Sequence, residues 1–160
     1  MRTRMLRFLA TITVATLVLS ASADANAPAG RYVVTNGGTG HGTVFDTKTK
    51  LTWQQTPSSS NYYGIDEAFA SCSSSAMSAN LGGTGWRLPT IKELLTIVDD
   101  SQFNGAIDRT AFSLPAGPYW SSSRLTGNFA HTTYFVVDFS TGGTLTGAMS
   151  QSANNFRCVR

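Results

Sequence analysis

The order of apolar and polar positions predicts strands in the first third of the chain. Residues 32–35 form a β-branched and aromatic run, Tyr-Val-Val-Thr, which is typical of a strand. Residues 43–46 and 51–54 alternate in polarity and flank the polar segment 47–50, an arrangement that predicts a hairpin with a four-residue loop. Strands are therefore expected up to residue 54.

A helical period replaces the alternation further along the chain. Ile65, Phe69, Cys72 and Ala76 recur every three or four positions, which predicts a first helix over residues 65–78. This spacing places Cys72 on the buried side of that helix, where a bridge to the core is favoured over a reactive surface thiol.

A second helix has its own start signal. Thr90 and Glu93 form a capping box, because the hydroxyl and the carboxylate each accept a free backbone N–H of the first turn. The apolar stripe of this helix is expected on Ile91, Leu94, Leu95 and Val98.

The remaining third of the chain reads as a loop followed by short strands. Ile107, Phe112 and Leu114 are the expected apolar anchors of the loop 101–117. Strand candidates follow at 119–122, 134–139, 144–146 and 156–160, and Gly142-Gly143 marks a hairpin turn. Two helices followed by antiparallel strands predict an α+β fold.

The N-terminal 23 residues are typical of an export signal. Arg2, Arg4 and Arg7 form a positive region, an apolar stretch covers residues 8–19, and small residues follow at 21–23. The apolar stretch is short against the ~20 residues that a spanning helix needs, so no membrane span is expected after cleavage. The predicted division is a signal peptide at 1–23, a leader with the first strand at 24–42, and one domain at 43–160.

The charge balance of the exported part argues against nucleic acid as a partner. The sequence has 12 basic and 9 acidic residues, and removing the three arginines of the signal leaves 12 − 3 = 9 basic residues against 9 acidic ones. A nucleic-acid footprint needs a clustered excess of Lys and Arg. A secreted, periplasmic or cell-surface protein of a bacterium is expected instead.

Cys72 and Cys158 are the two cysteines of the sequence. An exported chain meets an oxidising compartment, so a structural disulfide is the favoured interpretation. It would close a loop of 158 − 72 = 86 residues, for which chain entropy gives roughly 4 kcal/mol. A redox pair and an intermolecular bridge are the alternatives, although redox pairs usually have close spacing.

The sequence offers weak support for catalysis and for metal binding. Ser122, His131 and Asp138 could form a triad on paper, but no Gly-x-Ser-x-Gly elbow accompanies them. His41 and His131 have no neighbouring ligand at metal-binding spacing, and no Asp-rich loop resembles a calcium site. We therefore expect no catalytic residue, no metal and no cofactor.

Four segments together resemble a known family. Leu51-Thr52-Trp53-Gln54, Gly85-Trp86-Arg87-Leu88-Pro89, Tyr119-Trp120-Ser121-Ser122 and Phe156-Arg157-Cys158-Val159-Arg160 occur in this order. They resemble the family named for the C-terminal domain of the Legionella collagen-like protein, over about residues 43–160. The motif residues, interpreted as structural, are Trp53, Trp86, Arg87, Leu88, Pro89, Glu93, Trp120 and Arg157.

The resemblance implies a secreted bacterial module with adhesin-like roles in some relatives, including binding of sulfated polysaccharide and trimeric assembly on a collagen-like stem. A C-type lectin-like arrangement with one disulfide is expected by analogy. The sequence has no collagen-like triplet and no basic excess, so sulfated polymers are not favoured and both a monomer and a homotrimer stay open. The Glu-Pro-Asn and Trp-Asn-Asp motifs of calcium-dependent lectins do not occur in it.

The predicted function is a non-enzymatic, adhesin-like binding module for a surface ligand, either a glycan or a protein. The alternatives are an exported enzyme acting on envelope material through Glu93, Asp138 or His131, and a structural envelope component. Arg157 and Arg160 are predicted to share one face of the last strand, as a small anion site or a solvated edge. Ligand-binding candidates in loops 124–133 and 148–155 and before the first helix are Tyr62, Tyr63, Arg124, Phe129, His131 and Asn154.

Overall fold

The computed structural model describes residues 27–36, 42–58, 64–102, 105–113, 117–127, 132–148 and 154–160. Within these ranges three helices and two antiparallel three-stranded sheets confirm the α+β class. The elements in chain order are β1 (Tyr32–Thr35), β2 (Thr43–Asp46), β3 (Thr52–Gln54), α1 (Ile65–Cys72), α2 (Ser75–Leu81), α3 (Ile91–Thr96), β4 (Pro118–Leu125), β5 (Thr133–Asp138) and β6 (Gly143–Ala148).

The first sheet has the order β1-β2-β3, and its hairpin is built around Asp46. The carboxylate of Asp46 accepts the backbone N–H of Lys48 at 2.9 Å, and the carbonyl of Asp46 accepts that of Lys50 at 2.8 Å. The same carboxylate is completely buried and pairs with Arg31 at 3.0 Å. One buried side chain therefore joins the predicted four-residue loop to the segment that precedes β1.

The predicted first helix is two shorter helices in the structure. α1 ends at Cys72, where the Ser73 hydroxyl donates to the carbonyl of Phe69 at 2.9 Å. α2 begins after Ser74, whose side chain accepts the N–H of Met77 at 3.1 Å. Serine side chains bind the backbone locally and so compete with the helical ladder. This break leaves Ala76 exposed, although the periodicity placed it on the buried stripe.

The second predicted helix begins where expected but is short. α3 spans six residues, and both hydrogen bonds of the capping box between Thr90 and Glu93 are present. Ile97 lies at its C-terminal end and is buried, whereas Leu95 is 41% exposed. The predicted buried position of Leu95 was wrong, because in this six-residue helix the buried residue is Leu94 and Leu95 lies on its solvent side.

The second sheet has the order β4-β5-β6 and contains the predicted strands. Pro118 pairs with Asp138 at one end of it, and Asp138 pairs in turn with Gly143. The turn before Gly143 contains Gly142 at a φ of 78°, a conformation that favours glycine. The hairpin turn predicted there is confirmed.

The last described segment, residues 154–160, is named the C-terminal tail. It was predicted as a strand, but it forms isolated bridges instead: Val159 pairs with both Trp53 and Arg87, and Asn155 pairs with Tyr119. The tail thereby lies between the two sheets, and its Cys158 is bonded to Cys72. The predicted intramolecular disulfide is confirmed, while the C-type lectin-like arrangement stays a prediction.

Two clusters of buried residues make up the core of the described part of the chain. Trp53, Leu94, Phe112, Tyr119 and Val159 are members of the first cluster, which lies between the first sheet, α3 and the second sheet. The second cluster lies under α1. Its members are Ile65, Ala68, Cys72, Trp86, Leu88, Trp120, Tyr134, Val136, Phe156 and Cys158. No helix in the described part of the chain is long and apolar enough to cross a bilayer.

Candidate ligand groove

A groove of about 680 Å³ runs between α1 and the segment that leads into α3. We name it the α1 groove. Its lining combines a carboxylate, a guanidinium, three hydroxyls and three apolar groups. The lining residues are Asp66, Phe69, Ala70, Ser73, Arg87, Leu88, Thr90 and Ser122.

One wall of the α1 groove is a single face of α1. Asp66, Phe69, Ala70 and Ser73 are spaced by three or four residues, and such positions are neighbours on a helix surface. A neighbouring face carries Ile65, Ala68 and Cys72, which are buried in the second core cluster. Burial of that apolar stripe leaves Asp66 and Ser73 at the groove, together with Phe69 and Ala70.

The other wall contains an ion pair that is built into the start of α3. Backbone bonds to Val159 fix Arg87, and its side chain, 46% exposed, reaches Glu93 with two parallel hydrogen bonds of 2.8 and 2.6 Å. Glu93 also accepts the backbone N–H of Thr90 at 2.8 Å. The hydrogen bonds from Arg87, joined by those from Thr90, outweigh burial and lower the pKa of Glu93 from 4.5 to about 2.

The α1 groove carries one uncompensated negative charge. Arg87 and Glu93 neutralise each other, whereas the Asp66 carboxylate is exposed and has no hydrogen bond or ion pair with any described residue. The apolar part comes from Leu88, which is buried, and from the Phe69 ring, which packs edge-on against Tyr134 with centroids 5.9 Å apart. The groove therefore offers an apolar surface with hydrogen-bonding groups along its rim.

Neither of the two predicted ligand-binding residues that the structure describes lines this groove. Arg124 is exposed on β4, whereas Asn154 is only 8% exposed, so its side chain offers little surface to a ligand. Tyr62, Tyr63, Phe129 and His131 lie outside the described residues. Sequence reasoning missed the α1 groove. The available signal was that the polar positions 66 and 73 lie on a different face of the helix from its apolar stripe.

The prediction that Arg157 and Arg160 share an exposed face is wrong. An extended segment alternates its side chains, so residues three apart point to opposite sides. Arg157 is completely buried and donates to the carbonyls of Gln54 and Ser113 at 2.5 and 2.8 Å. Arg160 is exposed, with its guanidinium 5.3 Å from the centre of the Trp86 ring.

Aromatic rings surround the buried cation. The guanidinium carbon of Arg157 lies 4.9 Å from the centre of the Phe112 ring and 5.9 Å from that of Tyr119. Burial lowers the pKa of Arg157, and the hydrogen bond with Tyr119 opposes that change. No carboxylate in the described ranges forms an ion pair with Arg157. Its guanidinium instead links backbone carbonyls of distant segments through hydrogen bonds.

Ser122, Asp138 and Glu93, which were considered for catalysis and are described by the structure, have local structural partners. The Ser122 hydroxyl donates to the carbonyl of Pro89 at 3.2 Å, and the Asp138 carboxylate accepts the N–H of Ser140 at 2.8 Å. Glu93 caps α3 and pairs with Arg87, as described above, and His131 lies outside the described residues. Among the residues that the structure covers, no group of three potential metal ligands is present.

The comparison with protein families gives one match. Residues 42–160 match the sequence model of the family described as the Lcl C-terminal domain. No curated protein and no solved structure matches the chain.

Proposed function

The chain belongs to the Lcl C-terminal domain family, and we propose that it is an exported bacterial binding module whose α1 groove takes a neutral glycan. The observation that carries this proposal is the composition of the groove. Its apolar floor and its polar rim lie on elements that the core and the C-terminal tail hold in place. Ligand sites in proteins commonly combine an apolar lining with a few convergent polar groups.

The polar rim matches the chemistry of sugar hydroxyls, which both donate and accept hydrogen bonds. A guanidinium has five N–H donors, and Arg87 uses two of them on Glu93, so the others are available to a ligand. The Asp66 carboxylate accepts, and the Ser122 hydroxyl, which donates to Pro89, retains its lone pairs. The partly buried Phe69 ring adds an apolar surface against which the C–H groups of a sugar can pack.

The charges of the α1 groove favour a neutral ligand over a sulfated one. A sulfate would meet the uncompensated Asp66 carboxylate, and it would have to compete with Glu93 for the guanidinium of Arg87. Arg87 already makes two parallel hydrogen bonds to the two carboxylate oxygens of Glu93, and such bidentate pairs are among the stronger hydrogen-bonded contacts. An uncharged polyhydroxylated ligand is not repelled by Asp66 and does not have to displace Glu93 from Arg87.

The enzymatic alternative finds less support at Glu93. A general acid should have a pKa near the working pH, so that it carries a proton to give. The pKa of Glu93 is about 2, which leaves the group ionised at neutral pH. Both of its oxygens accept hydrogen bonds from Arg87 or Thr90. This arrangement suits a fixed structural anion better than a proton donor.

A glycan array of the refolded residues 24–160 tests the proposal. The test variant is Ala70→Trp, which fills the α1 groove, and the matched control is Ala76→Trp, an exposed alanine of α2 outside the groove lining. We expect neutral oligosaccharides to bind the parent domain and Ala76→Trp, with at least about tenfold weaker binding by Ala70→Trp, equivalent to ~1.4 kcal/mol.

Two results would overturn the proposal. Equal binding by both tryptophan variants would place the ligand outside the α1 groove. Binding confined to sulfated polysaccharides such as heparin would contradict the assignment of a neutral ligand. Export is tested separately by fractionating cells that express the whole chain, since a cytoplasmic precursor of unchanged mass contradicts the predicted signal.

A further inference from the structure

Both walls of the α1 groove are attached to two adjacent residues of the C-terminal tail. The α1 wall is bonded covalently, because Cys72 at the end of α1 forms the disulfide with Cys158. The opposite wall is hydrogen-bonded, because Arg87 and Val159 exchange two backbone bonds of 2.9 Å each. A single peptide unit thus separates the attachments of the two walls.

The tail is itself fixed on the side away from the groove. The N–H of Gln54 donates to the carbonyl of Cys158 at 2.9 Å, and the side-chain oxygen of Gln54 accepts the N–H of Cys158 at 3.0 Å. Arg160 and Thr52 exchange two further backbone bonds of 2.9 Å. The tail therefore extends the edge of β3 and gives the disulfide a rigid end.

The α1 end of the disulfide has weaker support of its own. α1 has eight residues, and an isolated helix of this length is marginal in water. The helix breaks at Ser73, and α2 has no fully buried residue. Apart from the bridge, Ile65 and Ala68 are the residues of α1 that are buried in the second cluster, while Phe69, Met77 and Leu81 are partly buried and pack against it.

We infer that Cys72 and Cys158 are positioning residues of the α1 groove: the bridge holds α1 at its distance from Arg87, so the groove keeps its width in the oxidised protein alone. The consequence for ligand binding rests on the proposed function. A dithiol such as dithiothreitol would supply two electrons and two protons, so that the S–S bond becomes two thiols while the reagent becomes its cyclic disulfide. The first sheet and the β4-β5-β6 sheet are each paired by backbone bonds between their own strands, so we expect both sheets to persist without the bridge.

Hydrogen exchange read by mass spectrometry tests the positioning role without any ligand. Three samples are compared at one pH: oxidised domain, domain reduced with dithiothreitol, and the double variant Cys72→Ala/Cys158→Ala. We expect exchange of the amides of residues 65–81 to become about tenfold faster or more in the last two samples, with the amides of β2 and β5 unchanged.

Each other outcome decides against the inference. Unchanged exchange of α1 would show that packing of α1 and α2 against the second cluster suffices to hold the wall. Simultaneous loss of protection in α1, β2 and β5 would show that the bridge supports the whole fold rather than one wall of the groove.

The neutral oligosaccharide array, run on the same double variant, tests the consequence for binding. Loss of at least about tenfold in signal, as for Ala70→Trp, is expected. An array without signal for the oxidised parent contradicts the proposed function but leaves the exchange result to decide the role of the bridge. An array with equal signals for parent and double variant contradicts the positioning role even where exchange is faster.

Discussion

Replacement of Glu93 by Gln should make the stability of the domain less dependent on pH. Glu93→Gln keeps the size of the side chain and an acceptor oxygen for the cap, but it removes the charge that pairs with Arg87. The pKa of Glu93 is lowered from 4.5 to about 2 in the folded protein, so the unfolded chain binds the proton more readily than the folded one. Folding stability from this group is therefore present above about pH 4.5 and is lost as the pH falls toward 2.

The size of the effect follows from the pKa values and from the exposure of the pair. One pKa unit corresponds to ~1.36 kcal/mol. The change in the pKa of Glu93 from 4.5 to about 2 therefore limits its contribution to the free energy of unfolding to about 3 kcal/mol. The side chains of Arg87 and Glu93 are 46% and 21% exposed, and solvent screens such a pair. We therefore expect Glu93 to contribute about 1–2 kcal/mol at pH 7.

The assay is urea denaturation of the parent and of Glu93→Gln at intervals between pH 7 and pH 2.5. The difference in the free energy of unfolding should be about 1–2 kcal/mol at pH 7 and should fall to roughly a quarter of that value at pH 2.5. Subtracting the two curves removes the contribution of the other carboxylates. A difference that stays constant over this range would refute the ionic account and would leave only the loss of cap geometry.

Three further substitutions have defined expectations in urea denaturation. Arg157→Met should lower the free energy of unfolding by about 3–5 kcal/mol because buried carbonyls lose their donor, and a loss under 1 kcal/mol would contradict that role. Asp46→Asn should cost about 2–4 kcal/mol at pH 7, since Arg31 loses its buried partner. The pKa of Asp46 is lowered because hydrogen bonds from Arg31 and the backbone outweigh the opposing effect of burial, so this cost should shrink in acid, and a cost independent of pH would count against the ion pair. Lys50→Gly should raise the free energy of unfolding by about 0.5–1 kcal/mol, because Lys50 has a φ of 64°, a left-handed conformation that is strained for residues other than glycine. The control Lys48→Gly should not stabilise the domain.

Local signals in the sequence were sufficient for much of the fold. The capping box of Thr90 and Glu93 predicted the start of α3 because both partners lie within one turn. The hairpin at residues 47–50 was predicted from the alternating segments on either side of it, and the turn at Gly142 from the pair Gly142-Gly143. The disulfide was predicted from two cysteines in a chain that was expected to be exported. Each of these inferences depended on neighbours in sequence or on a single possible pairing.

The features that sequence reasoning missed depend on contacts between distant segments. Nothing next to Arg157 shows that its donors reach the carbonyls of Gln54 and Ser113, which are 103 and 44 residues away. The break between α1 and α2 arises because Ser73 and Ser74 bind the backbone, while the apolar period continues across them. The α1 groove is lined by a face of α1, by the segment that leads into α3 and by β4. Each of these elements can be predicted from the sequence, but their contact in the folded chain cannot.

The C-terminal tail explains why these distant parts form one domain. Phe156 and Cys158 belong to the second core cluster, whereas Val159 belongs to the first, and Arg157 stacks on rings of the first. Successive side chains of the tail point to opposite sides, as in any extended segment. The tail therefore contributes side chains to both core clusters. The position of α1 relative to the first sheet is thus set through the tail. It follows that the residues which determine the width of the α1 groove lie partly at the far end of the chain, outside the groove itself.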